Sequence, residues 1–214
     1  SVQGESTHTG RPCAFVRLAT CNLRCVYCDT PYSFGDGEPK TVGELVETVV
    51  GYGVSLVCVT GGEPMVQRQG ALALMQALLD RGLTVLLETS GALPLDGVPD
   101  AVVRIMDVKT PDGLGLDAKS TKFQRISLHK PNLGLLKPHD EVKFVLMGRA
   151  DYEWSRAFVR EHRLEQRVAH VLFAPSFHDL PAKELVSWVL EDRLPVRLNL
   201  QLHKWIWGPE VHGV

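Results

Sequence analysis

The sequence predicts an α/β fold: a partial, open (β/α) barrel of about six parallel strands, forming one domain over residues 1–214. Three observations predict it. Short apolar runs alternate with amphipathic helical stretches, the pattern of a parallel sheet with right-handed crossovers. The runs are apolar throughout, as in strands covered on both faces. Six or seven such units in 214 residues are too few for a closed eight-fold barrel.

The elements follow in order. Cys13–Leu18 reads as the first strand, and a cysteine-rich loop, Ala19–Thr30, follows it. Residues 31–40 hold two prolines and two glycines and read as a loop. Thr41-Val-Gly-Glu44 is a capping box that opens a helix running to about Tyr52. Ser55–Thr60 is a buried strand ended by Gly61-Gly62-Glu63-Pro64. Met65–Arg81 is a helix with Leu72, Met75, Leu78 and Leu79 on one face and Gly82 just past its end. Further strands are expected at Thr84–Glu88, Ala101–Met106, Glu141–Leu146, Val168–Phe173 and Val196–Leu202. Helices are expected at Asp151–His162 and from Pro181 to about Arg193. Residues 112–139 carry no readable pattern.

Composition narrows the function. A net charge of −2 does not mark the surface for nucleic acid or membrane. No apolar run is long enough to span a bilayer, and no leader segment is evident. Five cysteines, three of them clustered, argue against a disulfide framework and fit a reducing cytoplasm. The chain begins at Ser1, already inside a motif, so a few leading residues are expected to be missing.

The chemistry collects at the carboxyl ends of the strands, as such sheets require. Cys21, Cys25 and Cys28 stand in the loop after the first strand with three and two residues between them. Thiolates at this spacing suit an iron–sulfur cluster or zinc. Three are one short of the four ligands of a closed site, which leaves a metal position open to a small molecule. The non-catalytic alternative is a four-cysteine zinc or ferredoxin-like module with Cys13 as fourth ligand. Cys13 and Cys58, inside apolar strands, otherwise read as inert buried thiols.

The Cys21-x3-Cys25-x2-Cys28 spacing, with Tyr27 before the last cysteine, resembles the signature of the radical S-adenosylmethionine enzymes. Thr60-Gly61-Gly62-Glu63-Pro64 resembles the Gly-Gly-Glu-Pro motif with which that family holds the methionine amino group. The resemblance implies the same open barrel. It also implies a [4Fe–4S] cluster on the three cysteines, whose fourth iron chelates S-adenosylmethionine and yields a 5′-deoxyadenosyl radical. S-adenosylmethionine contacts are implied at Tyr27, Asp29, Gly61, Gly62, Glu63, Ser90, Lys109, Thr110 and Ser176.

A narrower resemblance spans almost the whole chain and is weakest over residues 112–139. Val2-Gln-Gly-Glu5, Gly10-Arg-Pro12, Phe15-Val-Arg17-Leu18, Cys28-Asp-Thr30, Glu88-Thr-Ser-Gly91, Gln201-Leu-His-Lys204 and Trp207-Gly208 are similar to the 7-carboxy-7-deazaguanine synthase family. The reaction implied converts 6-carboxy-5,6,7,8-tetrahydropterin to 7-carboxy-7-deazaguanine with ring contraction and loss of ammonia, on the route to queuosine and related 7-deazapurines. Substrate contacts are implied at Val2, Gln3, Gly4, Glu5, Arg17, Thr60, Glu88 and His203. Arg17 offers a planar fork for the substrate carboxylate. Glu5 and Glu88 accept from the amidine-like pterin edge. Thr30 offers a hard oxygen to Mg²⁺. Catalytic roles are implied for Glu88, Thr30 and Arg17. An electron donor such as flavodoxin or ferredoxin and a homodimer are also implied.

Two departures stand out. The family's Gln-Gly-Glu-Gly is here Gln-Gly-Glu-Ser6, which alters a turn. A terminal proline carboxylate serves the substrate in some members, but this chain continues from Pro209 to Val214, and its tail is expected to fold over the site or cross to a partner subunit. The alternative enzyme is an activase that installs a glycyl radical on a partner protein. It would share the cluster but not need Gln3, Glu5 and Arg17 together.

Overall fold

In the computed structural model, which describes residues 1–211, one sheet holds seven parallel strands. They are β1 (Ala14–Leu18), β2 (Leu56–Gly61), β3 (Thr84–Thr89), β4 (Val103–Asp107), β5 (Glu141–Leu146), β6 (His170–Pro175) and β7 (Arg197–Leu198). Their order in the sheet is their order in the chain. Each crossover therefore steps one place in the same direction, which keeps the helices on one side and curls the sheet. β1 and β7 are the two edges, so the barrel is open.

Strand alternation divides the core in two. Val16, Val57, Val59, Val85, Leu87 and Phe144 point outward and pack beneath the helices. Cys13, Leu56, Cys58, Leu86 and Ile105 point inward and fill the lumen floor. Each buried Val, Leu or Phe contributes about 1.5–3 kcal/mol relative to exposure.

Helices α1 (Val42–Gly51) and α2 (Arg68–Asp80) cover β1 to β3. The Thr41–Glu44 capping box forms as the sequence requires. Pro64–Gln67 is a 3₁₀ turn, so the regular helix starts at Arg68 rather than Met65. Gly82, at φ 75°, ends it with its N–H on the Leu79 carbonyl. Helices α4 (Arg149–His162) and α5 (Ala182–Glu191) flank β5 and β6, with Tyr152 donating to Asp192 at 2.6 Å between them.

Two stretches differ from the sequence-based expectation. The final strand is two residues long, not the seven of Val196–Leu202. Its apolar alternation is that of an edge strand. At Asn199 the backbone still bonds Phe173, but at Leu202 it turns to the Gly4 carbonyl and opens α6 (Leu202–Trp207). With β7 counted, the sheet has seven strands rather than about six.

Residues 112–139 form 3₁₀ turns at Asp112–Leu114 and Lys130–Leu135 around the short helix α3 (Thr121–Ile126), capped by Ser120. Asn132 pins this segment to the β3 loop, donating to the Gly91 and Leu93 carbonyls and accepting from Leu95. Leu114 and Phe123 pack with Leu23 against Cys21 and Cys25. The unreadable stretch is thus the backing of the cysteine loop. No helix among the described residues is long and apolar enough to cross a membrane.

Candidate active site

A cavity of about 1400 Å³ opens at the carboxyl ends of the strands and runs along the lumen. One end is the cysteine loop: Cys21, Cys25 and Cys28 are all free and all line it. Burial pushes the Cys21 thiol up, and it pushes Cys25 up to about 11 against the pull of Lys109.

The Gly-Gly motif holds this loop against β2. The Gly62 N–H donates to Leu18 at 3.0 Å and the Glu63 N–H to Thr20 at 2.8 Å. A methyl group at Gly61 would overlap the Leu18 backbone, and one at Gly62 would overlap the Thr20 carbonyl and sit 2.9 Å from Cys21 Cβ. The Gly62 and Glu63 N–H groups are thus engaged by the chain itself, and the close approach that the glycines permit is that of the cysteine loop. Gly62→Ala is therefore expected to displace the loop, read as iron bound after reconstitution falling well below wild type.

The Glu63 side chain does not reach the cavity, contrary to its implied ligand contact. It is fully buried and accepts from Met65 N–H, Thr89 Oγ1, and both Ser90 N–H and Oγ. Thr110 is also behind the wall: it is fully buried, and its hydroxyl accepts from the Gly113 N–H. The other implied residues line the cavity: Tyr27, Asp29, Thr30, Gly61, Gly62, Ser90, Lys109 and Ser176 toward the loop, and Val2, Gln3, Gly4, Glu5, Arg17, Thr60, Glu88 and His203 along the lumen.

The N-terminal segment brings the second group together. It doubles back through the Val2–Pro12 bridge and lays its side chains across the lumen mouth. Gln3 Nε2 donates to Glu88 at 3.3 Å, and Thr60 Oγ1 donates to the other Glu88 oxygen at 3.4 Å. Ser6 takes φ 64°, the left-handed geometry that glycine adopts without strain, so the serine occupies a turn suited to the family's glycine. Arg17 donates to the Gly61 carbonyl at 3.2 Å with its guanidinium 5.9 Å from the Tyr32 ring centre. His203 lies on α6 rather than a strand, its ring packed so closely on Gly4 that a methyl group there would overlap it. Burial pushes its imidazole down.

Lys143 escaped sequence reasoning altogether, and Asp107 and Gln201 carried no assigned role. Lys143, in the middle of β5 and only 6% exposed, bonds Glu5 at 2.6 Å and Asp107 at 3.1 Å. Asp107 also pairs with Lys109 at 3.0 Å, and Lys109 lies 5.4 Å from the Tyr27 ring centre. A lysine inside the apolar run Val142-Lys143-Phe144 was the available signal, since a buried charge needs a partner. Gln201 bridges Glu5 at 2.8 Å and Asp29 at 3.2 Å. Burial pushes Glu5 up, but Lys143 and Gln201 outweigh it and hold it down at about 2. Burial pushes Lys143 down, but Asp107, Glu5 and Glu88 hold its pKa well above the usual lysine range. Pro209, Glu210 and Val211 also line the cavity, as expected of a tail folding over the site; residues 212–214 lie outside the described residues.

The donor set fits an open iron–sulfur site. Cys13 packs with Cys58 and Leu86 on the lumen floor, apart from the cluster of Leu23, Leu114 and Phe123 that backs Cys21 and Cys25. Among the described residues no three Cys, His, Asp or Glu side chains converge on a point that would hold a single ion. A cubane spreads its ligands over separate irons and does not need such convergence.

An open parallel barrel with three loop thiols at its mouth defines a class, and the comparisons agree with it. Residues 16–163 match the Radical SAM superfamily, to which the chain belongs. Within it the chain belongs to the 7-carboxy-7-deazaguanine synthases. It is 44% identical to the one from Koribacter versatilis, over 100% of this chain and 96% of the relative. It is 41% identical to that of Chlorobaculum tepidum, over 100% and 94%. The Escherichia coli QueE crystal structure shares the fold at TM-score 0.68 and 18% identity, covering 95% of this chain and 91% of that one. Streptococcus suis SuiB bound to S-adenosylmethionine shares it at TM-score 0.60 and 12% identity, covering 90% and 51%.

Proposed function

We infer that this chain is a radical S-adenosylmethionine lyase that converts 6-carboxy-5,6,7,8-tetrahydropterin to 7-carboxy-7-deazaguanine with loss of ammonia. The observation that carries this is one continuous cavity joining the three-cysteine loop to Glu5, Arg17 and Glu88. When bound, the [4Fe–4S] cluster and S-adenosylmethionine supply the hydrogen-abstracting radical. Cys21, Cys25 and Cys28 hold the cluster, and Tyr27, Asp29, Ser90, Lys109 and Ser176 line the S-adenosylmethionine end. The lumen residues do the positioning on which the chemistry depends. Arg17 faces the substrate carboxylate, and Gln3, Glu5, Thr60, Glu88 and His203 frame the heterocycle. Anaerobic turnover of the tetrahydropterin with reductant, followed by mass spectrometry, is expected to yield the 7-deazaguanine acid. A reconstituted enzyme that makes none would overturn the assignment.

Thr30, on the cavity wall with its Oγ1 3.8 Å from Cys28 Sγ, would offer its hydroxyl oxygen to a Mg²⁺ ion serving the substrate. Thr30→Ala is expected to lose stimulation of turnover by added Mg²⁺ while keeping its iron. Cys13→Ala is expected to keep full iron content, because three thiols suffice; loss of iron would favour a four-cysteine module.

Partners follow from the surface. Lys119, Lys122 and Arg125 are exposed around α3, directly behind the cysteine loop, which suits an acidic electron carrier such as a flavodoxin or ferredoxin. Trp205 and Ile206 on α6 and Leu198 and Leu200 beside the β7 edge are exposed, which supports a homodimer across that edge. The chain acts as one cytoplasmic domain without nucleic-acid or membrane contacts.

A further inference from the structure

Two polar chains leave the cysteine loop on either side of Cys28 and meet at one lysine. From Tyr27 the first runs to Lys109, whose Nζ lies 5.4 Å from the ring centre, and on to Asp107 at 3.0 Å. From Asp29 the second runs to Gln201, at the start of α6, whose amide donates to Asp29 at 3.2 Å and to Glu5 Oε1 at 2.8 Å. Lys143 Nζ closes the circuit, 3.1 Å from Asp107 and 2.6 Å from Glu5 Oε2. Every member lines the cavity, so the circuit is a belt around it.

Lys143 is where the two halves of the belt depend on each other. It is buried in the middle of β5, between Val142 and Phe144, which pack on the opposite face beneath the helices. One carboxylate would suffice to answer its charge. It takes two, Glu5 from the lumen end and Asp107 from the loop end. Both contacts are charged hydrogen bonds where little water competes, so they fix direction as well as distance. A strand holds its side chain more firmly than a loop does, and Glu5 lies in neither helix nor strand. Lys143 therefore sets where Glu5 stands, not the reverse.

We propose that Lys143 is a positioning residue for the reaction: by holding Glu5 and Asp107 on one ammonium, it fixes the pterin end of the cavity relative to the S-adenosylmethionine end. This rests on the proposed function and deepens it. Radical chemistry between two bound ligands depends on their separation, and a misplacement of about 1 Å can cost about 100-fold. Lys143 acts on that separation through the two carboxylates.

The test compares reconstituted wild type, Lys143→Met, Glu5→Gln and the double variant Lys143→Met/Glu5→Gln. During anaerobic turnover, the 5′-deoxyadenosine released per 7-deazaguanine acid formed is measured by mass spectrometry. Lys143→Met is expected to raise this ratio about 10-fold over wild type, as the cleaved cofactor misses its substrate. A purely structural lysine would lower both yields together and leave the ratio unchanged, and that result overturns the proposal. The double variant removes both charges of the pair and serves if Lys143→Met does not fold. Its ratio is expected to exceed that of Glu5→Gln, because Asp107 has also lost a cation; an equal ratio overturns the proposal.

Pterin binding to the reconstituted enzyme without reductant, measured by calorimetry, gives a second readout. Glu5→Gln is expected to raise Kd roughly 10- to 100-fold, as for a lost charged hydrogen bond. The double variant is expected to bind no more weakly than Glu5→Gln, because Lys143 reaches pterin through Glu5. Fully additive losses overturn the proposal. If wild type binds no pterin, the functional reading fails and the belt is tested by itself. The S-adenosylmethionine concentration that perturbs the reduced cluster's electron paramagnetic resonance signal is then expected to rise about 10-fold in the double variant. An unchanged concentration overturns the role of Lys143 independently of pterin.

Discussion

Glu63→Ala is expected to lower stability by about 4 kcal/mol or more, because four donors lose one shared acceptor at a cost of about 1 kcal/mol or more each. The donors are Met65 N–H at 3.0 Å, Thr89 Oγ1 at 2.8 Å, Ser90 N–H at 2.8 Å and Ser90 Oγ at 2.6 Å. Glu63 is fully buried, so water does not replace the lost oxygens. The melting temperature is expected to fall on the order of 10 °C in a chain of this size. Because Glu63 joins the end of β2 to the end of β3, the Ser90 wall and the Gly62 anchor of the cysteine loop loosen together. Iron uptake is therefore expected to fall with stability. Differential scanning calorimetry of the metal-free protein checks this, and a shift of only a degree or two would show that Glu63 serves a ligand rather than the fold.

The second large effect is Lys143→Met, expected to cost about 3–5 kcal/mol near neutral pH, as when one partner of a buried ion pair is removed. Lys143 is the shared cation of Glu5 and Asp107. Without it, burial raises the Glu5 pKa above its unfolded value instead of holding it at about 2. A carboxyl with a raised folded pKa stabilises the fold only while protonated. The deficit of Lys143→Met is thus expected to grow as pH rises from about 4.5 toward neutrality. Wild type shows the opposite sign. Its Glu5 contributes stability above about 4.5 and loses it as pH falls toward about 2. Urea unfolding at pH 5 and pH 7.5 distinguishes the two, and equal deficits at both would show that Glu5 does not depend on Lys143.

Legibility followed the range of the interaction. The Thr41–Glu44 box, the Gly82 stop and the apolar strands β2, β3 and β5 are local patterns, and the fold keeps them. The cysteine loop and the Gly-Gly turn were equally plain, because their spacing is the signal. The last strand was misread because apolar alternation alone does not show that its residues form an edge, nor that Gly4 ends it through Leu202. Residues 112–139 were unreadable because their turns hang on distant partners, Asn132 on the β3 loop and Phe123 on Leu23.

By itself the sequence determined the open α/β barrel, the three-thiol loop at its mouth and the family to which the chain belongs. Those rest on periodicity and spacing along the chain, which no distant residue alters. Only the tertiary structure decided how the glutamates divide. Glu5 and Glu88 are alike in sequence, and Glu63 shares their chemistry. One sits on Lys143 from a strand 138 positions away, one meets only neutral donors, and one is enclosed by Thr89 and Ser90. A carboxyl group's charge and availability depend on what the folded chain places within a few ångströms of it, and that is a property of three dimensions.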